Sequence, residues 1–301
     1  MSITLRMLQL AAKAPALLPD SASAGEFLRG QLAPGGLFAD RAGGGDLYYS
    51  VFGLQSAMTL GLSELAGAAA GSLAGAKPDQ LDLVHLCCLT RCQALLATAG
   101  LPGGTGFQPV PLAVDAKSLA ERLEGFRSRD GGYSLSGGAD HGSVYAAFMA
   151  FGAWGDLGRP CPNPRELTSC LLALRQEPGC WINEPAIPLG NVPATAAATI
   201  VLAELGQPPD QDARQWLLAQ ARPDGGFALA AMFEQSDLLS TAVALAALRR
   251  LEADLSPLAE GARRYVLGLW DRRGAFHPGA GDPAVDCEYL WYGLLALGCL
   301  A

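Results

Sequence analysis

Five stretches of this 301-residue chain follow one plan. Each has a glycine-containing turn ending on an aromatic residue, a polar Pro/Gly-rich loop, an Asp or Asn, and then an apolar run. The turn aromatics are Phe38, Tyr133, Trp181, Phe227 and Phe276, separated by 95, 48, 46 and 49 residues. The first separation is twice the others, so a copy is hidden between Phe38 and Tyr133. A period of about 48 residues then gives six copies between residues 23 and 301. Units on such a period cannot bury their apolar faces alone and must stack on their neighbours. The hidden copy is degenerate: "SELAGAAAGSLAGA" is its first helix and "DQLDLVHLCCLTRCQALLATAG" its second, joined at Lys77-Pro78. The residues it lacks reappear in the Gly/Pro-rich segment 100–114, whose Gly103-Gly104-Thr105-Gly106 is too short for a phosphate loop.

The two helices of a copy differ in kind. "DQDARQWLLAQA" keeps Gln211, Asp212, Arg214 and Gln215 as a polar face beside Trp216, Leu217 and Leu218, whereas "LLSTAVALAALRRL" is apolar all round until Arg249. A one-faced helix lies at a surface and a helix without a polar face is enclosed. The pattern therefore predicts six outer and six inner helices in two concentric rings. Glycine is expected to end the outer helices in a left-handed conformation. Asp46, Asp140, Asn191, Asp237 and Asp286 are expected to cap the inner ones. Residues 1–22 form an extension; Arg6, Lys13 and Pro15 interrupt any signal-peptide core, so it reads as a packed helix.

Half of the residues are apolar and the formal net charge is −8, which argues against nucleic acid as a partner. No run reaches the ~18 apolar residues of a membrane span. The eight cysteines include no CxxC pair and read as free thiols of a core, which makes the cytoplasm the expected compartment.

The Gly-aromatic repeat with its paired helices resembles the α/α-toroid superfamily of protein prenyltransferase β subunits and squalene or terpene cyclases, over about residues 23 to 301. The resemblance implies an all-α, single-domain (α/α)6 toroid with a central pocket for an isoprenoid or other lipid. It also implies a helical α-subunit-like protein partner, whose sign would be an exposed apolar rim. The pocket candidates are Tyr48, Tyr49, Phe52, His85, Tyr145, Phe148, Asp237, Tyr289 and Tyr292; the aromatics either line a pocket or fill the barrel axis. His85 reads equally as a core histidine.

In the transferases the resemblance implies a catalytic zinc held by an Asp-x-Cys start to the fifth inner helix and an Asp-x-x-His start to the sixth. Here these positions read Asp237-Leu238-Leu239 and Asp286-Cys287-Glu288-Tyr289. A relocated zinc site is left to Asp286 and Cys287, with His277 in the loop before them; otherwise Asp286 is a cap and Cys287 a core thiol. No Lys or Arg lies between Ala228 and Ser236, where the family holds a diphosphate; Arg272 and Arg273 precede the last turn, within reach of the mouth. The Asp-x-Asp-Asp acid of the squalene-type cyclases is absent as well. The leading expectation is a prenyltransferase-like protein that binds an isoprenoid and, if catalytic, transfers it to a thiol. The alternative is a non-catalytic lipid- or peptide-binding or scaffold module.

Overall fold

The structure, a computed structural model, describes residues 1–99 and 115–301. The segment 100–114 singled out above lies outside the described residues. Helix α1 (Ile3–Ala11) precedes six helix pairs. The outer members are α2 (Ser21–Gly30), α4 (Ser63–Ala74), α6 (Ala116–Glu124), α8 (Pro164–Ala173), α10 (Gln211–Leu218) and α12 (Ser256–Gly268). The inner members are α3 (Leu47–Leu60), α5 (Leu83–Ala99), α7 (Val144–Asp156), α9 (Val192–Glu204), α11 (Leu238–Arg250) and α13 (Cys287–Cys299). Inner helices pack in chain order and α13 packs back on α3, so the inner ring is closed. This is the (α/α)6 toroid expected from the sequence, with short antiparallel hairpins added in the loops of the last three pairs. Among the described residues, no helix is long and apolar enough to cross a membrane.

The polarity of each helix explains its ring. In α10 only Ala213 and Leu217 are buried, one turn apart on a single face. In α11, nine of 13 residues are buried. The five turn aromatics are all fully buried and are the largest side chains in that state. They wedge between the rings, and small residues make room for them. Seven positions after the caps of the five inner helices that follow these turns stand Gly53, Ala150, Ala198, Ala244 and Gly293. A methyl group at Gly53 or Gly293 would overlap the rings of Phe38 or Phe276.

A hydroxyl relay fixes three of these wedges. The amides of Phe38, Trp181 and Phe227 donate to the hydroxyls of Ser50, Thr195 and Thr241 at 3.0, 2.9 and 2.9 Å. Those hydroxyls donate in turn to the cap carbonyls of Asp46, Asn191 and Asp237. A buried turn amide, which would otherwise be unpaired, is thereby tied to the start of the helix it precedes.

Two expectations need correction. The outer helices do not end on left-handed glycine, because their C-cap residues are right-handed. The left-handed glycines lie further on, two residues before each aromatic: Gly36, Gly131, Gly179, Gly225 and Gly274. Each presses on the next outer helix, at Ala68, Glu166, Asp212, Gly261 and Ser23 in turn. The last contact joins the sixth pair to α2 and closes the outer ring. The cap of α7 is Ser143, whose hydroxyl accepts from Ala146 N–H at 3.1 Å, rather than Asp140. Asp140 instead pairs with Arg129 on the surface at 2.8 Å. Ser143 stands ten residues after its aromatic, as Asn191, Asp237 and Asp286 do, so loop length outweighs side-chain preference here.

Candidate functional site

The first amides of a helix need acceptors, and at the inner ring the neighbouring loop supplies some of them. Tyr145 N–H donates to Asn183 Oδ1 at 3.0 Å, Val192 N–H to Leu229 O at 2.8 Å and Leu238 N–H to Pro278 O at 2.8 Å. Each acceptor belongs to the loop of the following pair. Across the ring closure Arg41, in the first loop, binds the Asp286 carboxylate at 2.9 Å. These links gather the starts of the inner helices at one end of the barrel, the mouth. The dipoles directed there meet capping carboxylates rather than an open positive end.

The opposite end is closed by α1. It packs on the adjacent helices α13 and α3 and, across the barrel, on α7. Thr4 donates to Asp156 Oδ2 at the end of α7 at 2.8 Å, and Arg6 pairs with Glu204 at the end of α9 at 3.0 Å. Gly298, near the end of α13, lies directly against the backbone of Leu10 and Ala11. The expected packed N-terminal helix is therefore the barrel floor.

Between floor and mouth lies a central cavity of about 130 Å³. Of the nine pocket candidates, Tyr48, Phe52, Tyr145, Phe148 and Tyr292 line it. Three of them form a connected aromatic wall, with Tyr145 and Phe148 lining the same space: the Tyr48 and Phe52 rings are 4.9 Å apart and steeply inclined, and Phe52 and Tyr292 are 5.7 Å apart. Tyr49 and Tyr289 sit nearer the mouth, the latter with the Arg41 guanidinium 5.8 Å above its ring. His85 lies between Asp82, 2.8 Å from Nδ1, and Asp46, 3.6 Å from Nε2, and does not reach the cavity. Asp237 caps α11 and borders a separate rim cavity of about 360 Å³. Burial raises its carboxyl above the ordinary range, opposed by the bonds from Ser240.

Glu288, Arg41 and Arg91 were not among the site residues read from the sequence. Glu288 is buried and accepts the Tyr48 hydroxyl at 2.7 Å. Burial pushes its carboxyl up, and the Tyr48 bond only partly offsets this. A lone charge in an enclosed helix is a readable signal, and Arg91 in "LVHLCCLTRCQALLATA" carries it. Arg41 carries no such signal, because its partner is 245 residues away.

The proposed zinc ligands do not converge. Cys287 is fully buried and desolvation drives its thiol far from ionisation. Asp286 is occupied by Arg41 and the Tyr289 amide. His277 turns away to Asp271, 3.1 Å from Nε2, and to the Ala284 carbonyl. Among the described residues no three His, Cys, Asp or Glu side chains are grouped as a metal site requires. Arg273 is likewise engaged, by Asp271 at 2.8 Å and the Pro283 carbonyl.

No family model and no curated protein matches the sequence. Solved structures do match the fold. A variant of the type II terpene cyclase MstE from Scytonema, in complex with geranylgeranyl dihydroxybenzoate, aligns with a TM-score of 0.63 at 13% identity, covering 98% of each chain. A protein from Actinoplanes aligns with a TM-score of 0.58 at 17% identity, covering 93% of this chain and 98% of that one. A glycosidase variant aligns with a TM-score of 0.63 at 13% identity, covering 98% and 96%. The chain thus has the α/α-toroid fold. That a cyclase and a glycosidase match it equally well leaves the chemistry to the residues of the site.

Proposed function

We propose that the protein binds an isoprenoid, or a lipid of similar shape, along the barrel axis, with its apolar body on the wall of Tyr48, Phe52, Tyr145, Phe148 and Tyr292. The observation that carries this is the unfilled aromatic cavity: side chains that merely plugged the axis would leave no space between them. A toroid of the same fold holds a geranylgeranyl compound in MstE, which supports the reading. Ligand pockets usually measure ~300–1,000 Å³, so a prenyl chain needs more than the central cavity alone. Ile3 and Met7 of α1 also line a second cavity of about 260 Å³, bounded by Leu10, Ile200 and Ala246 and rimmed by Arg6, Glu204, Arg249 and Arg250. Methionine is flexible, and a change of the Met7 rotamer would join the two.

Zinc-assisted transfer to a thiol has little support in the residues at Asp286, Cys287 and His277. A diphosphate has little support in a mouth whose Arg41 is already paired. The favoured role is therefore lipid binding. An exposed apolar rim at Ile187, Leu189, Leu229, Met232 and Phe233 supports a protein partner on the loop face. The test is a farnesol titration followed by the fluorescence of Trp291, which lines the cavity, with Trp291→Phe as the spectral control. Saturable micromolar binding is expected, and absence of a saturable signal up to the solubility limit would refute the proposal.

A further inference from the structure

We infer that the barrel ligand carries a carboxylate, and that Arg91 of α5 receives it. This deepens the lipid-binding reading above and rests on it. Arg91 is the only Lys, Arg, Asp or Glu on α5. Its side chain is 13% exposed, and it lines the central cavity together with the aromatic wall. A structural arginine in such a place normally meets its carboxylate with two parallel bonds. Arg91 makes one bond, from Nε to Asp156 Oδ2 at 3.3 Å, and that oxygen already accepts Thr4 at 2.8 Å. The outer nitrogens Nη1 and Nη2 have no hydrogen-bond partner among the described residues. The seat of the guanidinium depends on Gly152 of α7, where a methyl group would overlap Nη2.

A guanidinium keeps its charge at any ordinary pH, so these donors persist at the cavity and are free for an acceptor. A planar, two-oxygen acceptor of single charge matches the free edge of the fork. A diphosphate does not, since one arginine already sharing a carboxylate cannot balance several charges. The charge distribution gives the ligand a direction. Asp46, Asp286 and Glu288 lie towards the mouth, while Arg91 lies deeper, beside the end of α7. The carboxylate then rests on the α5–α7 side. The apolar body crosses the aromatic wall, and the tail passes Met7 towards α9 and α11.

Farnesoic acid, methyl farnesoate and farnesol, titrated into the full-length protein at neutral pH, form the test. The acid is expected to bind at least about tenfold more tightly than the ester, the value of one charge-assisted contact. Arg91→Met should erase that preference while ester binding persists. Because Arg91→Met strands Asp156, two milder variants accompany it: Arg91→Lys, which retains the charge without the fork, and Gly152→Ala, which displaces the guanidinium. Both should reduce the preference. Equal binding of acid and ester to the wild type overturns the carboxylate while leaving lipid binding intact. An acid preference that survives all three variants overturns the role of Arg91. Failure of all three ligands to bind overturns the lipid-binding reading itself.

Discussion

Gly274→Ala tests the closure of the outer ring. Gly274 has φ +97°, and a methyl group there would overlap the backbone of Ser23 and Ala24 in α2. Two costs follow. An L-residue in a left-handed conformation costs ~1–2 kcal/mol, less the ~0.4–1 kcal/mol gained by restricting the unfolded chain. Overpacking against backbone that cannot rotate away adds ~1–3 kcal/mol. Gly281 isolates the first cost, because it has φ +85° with nothing within 4 Å of a methyl group. Gly281→Ala is therefore expected to lose about 1 kcal/mol and Gly274→Ala about 2–4 kcal/mol. At ~2.1 cal/mol/K per residue these become roughly 1–2 °C and 3–6 °C in melting temperature. Urea unfolding followed by far-UV circular dichroism reads the difference. If the two variants shift equally, the contact between the sixth turn and α2 is not a packed seam and the closure argument fails.

Thr241→Val leaves the buried Phe227 amide without its acceptor and should cost ~1–3 kcal/mol, with Thr241→Ser near wild type; equal urea midpoints for Val and Ser would contradict the relay. Burial holds the Glu288 carboxyl above its ordinary value, so the unfolded chain loses this proton first as pH rises. Its contribution is fully present below the ordinary carboxyl range and is lost as pH climbs through the raised folded value. Glu288→Gln should accordingly gain on wild type between pH 4 and pH 8, and a gap in urea midpoints that does not widen would count against that burial. Cys161 is half-buried and the other seven cysteines are buried. Ellman's reagent should modify one thiol rapidly in the native protein, and a fast phase that survives Cys161→Ser would contradict the packing of the other seven.

The architecture was legible because it is written in local, repeated terms. Phe38, Tyr133, Trp181, Phe227 and Phe276 mark the turns, and Asp46, Asn191, Asp237 and Asp286 cap the inner helices as their chemistry suggests. Asp140 has the chemistry of a cap but stands seven residues after its aromatic, and the ten-residue spacing selects Ser143. The aromatic wall was also legible, since Tyr48, Phe52, Tyr145, Phe148 and Tyr292 lie on enclosed helices. His85 lies on inner helix α5 but is held by Asp82 and Asp46 outside the central cavity, and Asp237 is turned to the Ser240 amide by its role as the cap of α11. The floor was not legible: only the fold shows that α1 meets α3, α7 and α13, as nothing in "ITLRMLQLA" names its partners. Arg41 illustrates the same limit, because its carboxylate lies 245 residues away; Arg91 stands out as a lone charge on an enclosed helix, but its partner Asp156, 65 residues on, does not.

The floor has a consequence for the order in which the chain is built. Gly298, in the last turn of α13, forms part of the seat of α1, so the earliest helix waits for the latest one. At ~5–20 residues per second the synthesis separating them takes roughly 15–60 s. Throughout that interval Ile3 and Met7 lack their final neighbours and the edge of α3 lacks α13. Growth along the ring can proceed pair by pair through local contacts, but the closing steps join parts of the chain far apart in sequence, α3 (Leu47–Leu60) and α1 (Ile3–Ala11) each with α13 (Cys287–Cys299). The barrel and its floor are thus completed together, only after α13 has been made, by the docking of α13 on α3 and of α1 beneath both.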